Sequence, residues 1–163
     1  MIEFVLKNRR LRLHPDGVMY VRSHRNGVET KKITWREIKF SNTNGYLSCG
    51  MIVDGISARL YQHRLVYYAH HQDWDIFDGS SNNVVDHYNR DRSDNRIENL
   101  HIVTIQQNSF NTNAKGYSWY KSRNKWEAYI KINGRKIKLG YFEKEEDARN
   151  AYLKEKAKLH IVG

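Results

Sequence analysis

Between Val84 and Asn111 the chain reads VVDHYNRDRSDNRIENLHIVTIQQNSFN, and in this run stand an acid, a base and two amides: Asp86, His87, Asn99 and Asn108. A carboxylate and an amide carbonyl are hard oxygen donors. Asp86 and Asn108 can therefore hold one divalent ion whose other positions stay with water, the arrangement Mg²⁺ favours. His87 carries the one side chain whose ordinary pKa suits taking a proton from water near neutral pH. The set is suited to metal-assisted phosphodiester chemistry. Neighbours on a regular strand face opposite ways, so Asp86 and His87 can serve one site only where the strand twists or ends.

The flanking residues supply the elements that must position this set. Val84-Val85 is a short β-branched run leading into Asp86-His87, a polar loop follows, and Leu100–Val103 reads as a second short strand. Thr104 then offers an N-cap, and Gln107 three residues on completes a capping box, so a helix should start there and carry Asn108 and Asn111 on one face. The order is strand, loop, strand, helix.

This run resembles the H-N-H endonuclease family in its His-Asn-Asn form, as found in phage and intron-encoded homing endonucleases. Asn99 follows His87 by twelve residues and Asn108 follows Asn99 by nine; Asn95-Arg96-Ile97-Glu98-Asn99-Leu100, Thr104 and Gln107-Asn108 match the local signature. The resemblance implies a ββα-metal (His-Me finger) unit with His87 as general base and Asp86 and Asn108 as ligands of one divalent cation, Mg²⁺ first and Mn²⁺ as the alternative. It implies Asn99 as the amide that ties the loop and orients His87. Where relatives commonly read Ile-Asp-Gly-Asn after the histidine, this chain has Tyr88-Asn89-Arg90-Asp91, so an arginine replaces the turn's glycine. Taken singly, each of these residues is most often a turn or surface residue; their agreement over a fixed length is what separates them from that background.

The charge balance points to a polyanionic partner: 28 Lys and Arg stand against 18 Asp and Glu, a formal net charge of +10. Residues 81–114 hold 3 basic and 4 acidic side chains, whereas residues 1–80 hold 12 and 8 and residues 115–163 hold 13 and 6. The run with the candidate site is thus the one acidic stretch, as a cation site would be. Cys49 is the only cysteine, which excludes an internal disulfide framework and a Cys-rich structural zinc site. The apolar run at the amino terminus is too short for a signal peptide, and about 18 consecutive apolar residues occur nowhere. The reading is a soluble, cytoplasmic protein of a bacterial or phage-infected cell.

From Met1 to about Leu60 the patterns are short and β-like, broken at His14-Pro15-Asp16-Gly17, Arg25-Asn26-Gly27 and Asn42-Thr43-Asn44-Gly45. Val18–Val21 and Tyr46–Ser48 read as strands, and Trp35–Ile38 fits either a strand or a helical turn. Arg9, Arg10, Arg12, Arg22, Arg25, Lys31 and Lys32 either grip phosphates or form a solvated face. His63–His71 has helical spacing with Leu65, Tyr68 and Ala69 on one side, and many phage members of the same family carry a similar His-Arg-Leu-Val helix here. With no sulfur ligands nearby, His63, His70 and His71 read as packing or solvated residues rather than a zinc site. Residues 72–83 read as a polar connector.

After a linker at residues 112–115, Tyr117–Lys121, Trp126–Ile132 and Arg135–Tyr141 alternate as strands, with Asn133-Gly134 a two-residue hairpin signal. Trp126, Ala128, Ile130 and Ile132 share one face; Glu127, Tyr129 and Lys131 point the other way. A helix over about Lys144–Leu159 follows, acidic first and basic last as the macrodipole favours, laying Ala148, Ala151 and Tyr152 on the sheet. Lys115–Gly140 has 8 basic residues and 1 acidic, so the sheet is the side that meets phosphate and can enter the major groove. Its candidate DNA contacts are Ser118, Tyr120, Lys121, Arg123, Lys125, Tyr129, Lys131, Arg135, Lys136 and Lys138. Gly116-Tyr117-Ser118-Trp119, Lys125–Ala128, Leu139–Phe142 and Ala148–Tyr152 resemble the Apetala-type ethylene-response-factor DNA-binding domain, although Ser118 and Tyr120 stand where plant members often place arginines.

The resulting expectation is an α+β chain: a basic β-rich region with a helix (1–80), a ββα-metal nuclease unit (81–111), the linker, and a three-stranded antiparallel sheet plus helix (116–163). Its function would be metal-dependent hydrolysis of double-stranded DNA by a monomer that nicks one strand, in a homing-type or phage-encoded role. Two rivals stand beside it: a non-catalytic DNA-binding regulator, and a nuclease of restriction or DNA packaging.

Overall fold

The computed structural model describes residues 1–25, 28–29, 31–80, 82–111 and 114–159. The expected turn at Asn26-Gly27, Ser81 of the connector, Thr112-Asn113 of the linker and the last four residues of the C-terminal segment lie outside them. The elements run β1 (Ile2–Leu6), β2 (Arg9–Leu13), β3 (Met19–Arg22), β4 (His24–Arg25), β5 (Val28–Glu29), β6 (Trp35–Glu37), β7 (Ser41–Thr43), β8 (Tyr46–Val53), β9 (Ile56–Tyr61), α1 (Gln62–His70), β10 (Val84–His87), β11 (Leu100–Val103), α2 (Ile105–Phe110), β12 (Tyr117–Tyr120), β13 (Lys125–Ile132), β14 (Arg135–Phe142) and α3 (Glu145–Leu159). They form two compact units: residues 1–80 with 85–102, and residues 81–84 with 103–163. The division falls inside the 81–111 run rather than at its ends.

In the first unit, period-2 alternation builds an antiparallel sheet in the order β1-β2-β3-β6. Phe4, Leu6, Leu11, Leu13, Met19 and Val21 all point to one buried face, while Glu3, Arg10 and Arg12 take the other positions. A second sheet, β7-β8-β9, adds Cys49, Met51, Val53 and Leu60 to the same core, and α1 adds Leu65, Val66 and Ala69. Burying each such aliphatic side chain contributes roughly 1.5–3 kcal/mol. The residues at Trp35 resolve as strand, because β6 pairs with β3 (Arg22 opposite Trp35). The connector after α1 is less polar in its role than in its composition: Ile76 is buried in the core, and its carbonyl accepts a 2.6 Å hydrogen bond from Arg64.

Val85 and Leu100 join this core too, so the β10-β11 ribbon is set into the first unit by its apolar side. Thr104 caps α2 through a full capping box, with its Oγ1 accepting from Gln107 N–H and Gln107 Oε1 accepting from Thr104 N–H. The helix ends one residue before Asn111. Asn111 is its C-cap (ψ 53°), not a residue of the helical face shared with Asn108.

The second unit holds the antiparallel sheet β12-β13-β14 with α3 packed on it. Asn133 and Gly134 both take positive φ (49° and 76°), the conformation a two-residue hairpin turn needs. The first strand stops at Tyr120 instead of Lys121. Lys121–Arg123 makes a single 3₁₀ turn closed by left-handed Asn124. Ala148 and Tyr152 of α3 are buried with Ile130, and Phe110 of α2 packs into the same cluster. Gly116 is obligatory here: it has φ +67°, and a Cβ would overlap the Tyr152 ring.

Candidate active site

β10 ends at His87, whose side chain is buried (2% exposed), and Asp86 before it is half-buried. Around His87 lies an aromatic box, with the His63 ring centroid at 5.2 Å and the Tyr46 ring centroid at 6.1 Å. His63 itself contacts Tyr46 and Tyr61. Burial, with the neighbouring His87 and Arg64 adding to it, pushes the His63 pKa down to about 3. A charged His63 would also carry a second ring N–H, and its buried Nδ1 has no hydrogen-bond partner among the described residues. His63 is therefore a neutral packing partner of His87.

The imidazole of His87 is held through Nε2, 2.9 Å from Asn95 Oδ1. Amide orientations are ambiguous in isolation; here a fixed acceptor resolves them. Gln62 Nε2 lies 3.2 Å from the Gly17 carbonyl, which can only accept, so that end of Gln62 must be its NH₂. Gln62 Oε1 then accepts from Asn95 Nδ2 at 3.0 Å, which leaves Asn95 Oδ1 facing His87. An oxygen acceptor requires a donor, so Nε2 carries the proton and, in the neutral ring, Nδ1 carries the lone pair. The sequence reading had Asn95 only as part of the local signature and did not single out Gln62; the contacts that link both to His87 come from the fold.

Asn99 ties the loop, as expected of it. Its Oδ1 accepts from Asn89 N–H (3.0 Å) and its Nδ2 donates to Asn89 Oδ1 (2.9 Å) and to the Asp94 carbonyl (2.8 Å), closing the loop between the strands. Asn95 makes a side-chain hydrogen bond to the imidazole. Asp94 is gripped by Arg96 through two 2.8 Å contacts, which hold its carboxyl down to about 2. Arg92 anchors the loop's tip to the β7–β8 turn through Asn44 O and stacks over Tyr46. Arg90, standing where the resemblance places glycine, has φ +65°.

Residues 60–110 match the model of the HNH endonuclease family. The match takes in 51 of the 163 residues, from the end of β9 through α2, and includes His63, Asp86, His87, Asn95, Asn99 and Asn108. Comparison with curated proteins and with solved structures gives no match.

The donor set of the matched segment fits a hard cation. No cluster of three His, Cys, Asp or Glu side chains exists among the described residues, which leaves no zinc-type cage. The carboxylate of Asp86 and an amide oxygen are donors of the type that hard divalent cations take. Asn108 lies on α2, in the second unit.

In the second unit the register places Ser118, Tyr120, Lys125, Glu127, Tyr129, Lys131, Lys136, Lys138 and Tyr141 on the sheet face opposite α3. Arg135 departs from the expectation: it pairs with Ile132 and so belongs to the helix side, at the hairpin end. Lys121 and Arg123 sit in the 3₁₀ turn, with Arg123 reaching over the Tyr141 ring at 4.6 Å. The surface is also less freely basic than its composition. Glu127, 6% exposed, binds Lys136 at 2.6 Å and Lys138 at 3.5 Å, and these contacts lower its pKa. No helix among the described residues is long and apolar enough to cross a membrane.

Proposed function

We propose that this chain is a divalent-metal-dependent DNA endonuclease in which His87 Nδ1 is the general base. The observation that carries the reading is the oriented chain from the Gly17 carbonyl through Gln62 and Asn95 to His87 Nε2. Holding one ring nitrogen as a donor leaves the other as the base, the arrangement needed to take a proton from water.

His87 accepts the proton of the attacking water at Nδ1, and Asn95 accepts the hydrogen bond from Nε2–H throughout, a bond that strengthens as the ring becomes cationic. Asn99 keeps the loop closed so that the ring's position does not drift. Asp86 and Asn108 would hold the cation, Mg²⁺ first and Mn²⁺ second. When bound, it supplies positive charge to the scissile phosphate and to the departing oxygen.

Duplex DNA is the substrate in this reading, and the outer face of β12-β13-β14, with Lys121 and Arg123 beside it, is the surface that grips the phosphates. One Asp-His…Asn…Asn set addresses one scissile phosphate, so the chain acts as a monomer that nicks one strand, in a homing-type or phage-encoded role. The test is conversion of supercoiled plasmid to open circle with Mg²⁺ and with EDTA. Mg²⁺-dependent nicking supports the reading; tight DNA binding with no cleavage in Mg²⁺ or Mn²⁺ would favour a DNA-binding regulator.

A further inference from the structure

Arginine rarely occupies the core-facing position of a strand, because its guanidinium must then find solvent or a counter-charge. Two such arginines stand among the described residues of the first unit. Arg9 lies opposite Leu6, which is 1% exposed, and Arg36 lies opposite Val21, which is 3% exposed. Both therefore point to the same side of the β1-β2-β3-β6 sheet as its hydrophobic core. They open onto a cleft of about 720 Å³, whose other walls include Ile38, Lys39 and, from β8, Met51 and Ile52.

The charge of this cleft is uncompensated. Its one carboxylate, Glu37, is taken by Lys39 at 2.6 Å, and neither Arg9 nor Arg36 forms an ion pair among the described residues. The Nε of Arg9 is buried with no hydrogen-bond partner. The two guanidiniums act on each other instead: burial first, and then Arg36, lower the Arg9 pKa. The buried Arg9 N–H costs stability unless an acceptor satisfies it, and an anion between the two guanidiniums would also relieve their mutual repulsion. A planar fork of guanidinium N–H groups matches the oxygens of a phosphate, and apolar walls beside it suit whatever the phosphate is attached to.

We infer that the cleft between β2, β6 and β8 is a binding site for a phosphate group, held by Arg9 and Arg36 with Lys39 at its rim. This chemistry is shared by a free nucleotide and by the backbone of a nucleic-acid strand. The site does not depend on the reaction at His87, and it would stand if that reaction were disproved.

The experiment follows the arginine Nε–Hε resonances of the full-length chain in ¹⁵N-labelled form at constant ionic strength. The probes are inorganic phosphate, dAMP and a short DNA duplex, with chloride as the control. Phosphate should shift the Arg9 resonance saturably where chloride does not. Arg36→Gln, at an exposed side chain, should weaken phosphate about tenfold or more, the usual effect of losing one charge-assisted hydrogen bond. Tighter binding of dAMP than of phosphate would assign the site to a nucleotide; displacement of phosphate by the duplex, with no gain from dAMP, would assign it to the DNA backbone. An Arg9 resonance indifferent to all three probes, a response equal in chloride, or unchanged affinity in Arg36→Gln would overturn the inference.

Discussion

Asn95 Oδ1 stands 2.9 Å from His87 Nε2, and the amide that carries it is locked by Gln62, so the acceptor cannot turn into a donor without breaking the bond to the Gly17 carbonyl. Asn95→Leu removes that acceptor and leaves the phosphate-binding surfaces untouched. It should lower kcat by about 10²-fold, the lower part of the range for general-base catalysis, with DNA affinity unchanged. Gln62→Met frees the Asn95 amide to rotate, and ¹⁵N shifts of the His87 ring should then report a mixture of tautomers in place of the Nε2–H form. A wild-type ring already in the Nδ1–H form would contradict the assignment.

A second expectation concerns pH. His63 is held neutral in the fold, with its pKa depressed from 6.5 to about 3, while the unfolded chain takes up the proton near 6.5. Between these values the unfolded state binds more protons, so stability is present above pH 6.5 and is lost as pH falls towards 3. The slope from this one group reaches about 1.4 kcal/mol per pH unit. Denaturant titrations of the wild type and of His63→Phe across that window should differ in slope by about this amount, and parallel curves would show that His63 is not the group responsible.

Arg90 pays a backbone cost at φ +65° that glycine would not. Arg90→Gly should raise stability by about 0.5–1 kcal/mol, the left-handed penalty less glycine's greater unfolded freedom. Its backbone N–H bond to the His87 carbonyl would be kept. A loss of stability in chemical denaturation would mean that the Arg90 side chain does more than occupy the turn.

Glu127 sets the charge of the outer sheet face by holding Lys136 and Lys138. If that face meets DNA, Glu127→Gln should tighten binding and steepen the log–log salt dependence by about one unit for each lysine released to a phosphate. Binding and slope that stay at wild-type values would place the DNA surface elsewhere.

Local order was the legible part of this chain. The Thr104–Gln107 capping box, the Asn133-Gly134 turn and the alternation of Trp126–Ile132 each depend on residues within a few positions of one another, and all three appear as read. What lay hidden was long-range. Gln62 meets Asn95 across 33 residues and Gly17 across 45, and no local pattern signals such a pairing. Ile76 was masked by the polar residues around it. Glu127 looked like a minor exception in a basic stretch, because composition does not reveal that a single buried carboxylate can hold two lysines. Arg9 and Arg36 were hidden by register, since a strand's inward face is assigned only once its partners are known.

The most direct measurement is the rate of nicking of supercoiled plasmid by the wild type and by His87→Ala in Mg²⁺, with the DNA affinity of both proteins determined in the same buffer. The account expects cleavage to fall by at least about 10²-fold, with affinity within a factor of about two. Undiminished nicking by His87→Ala at equal affinity would contradict it.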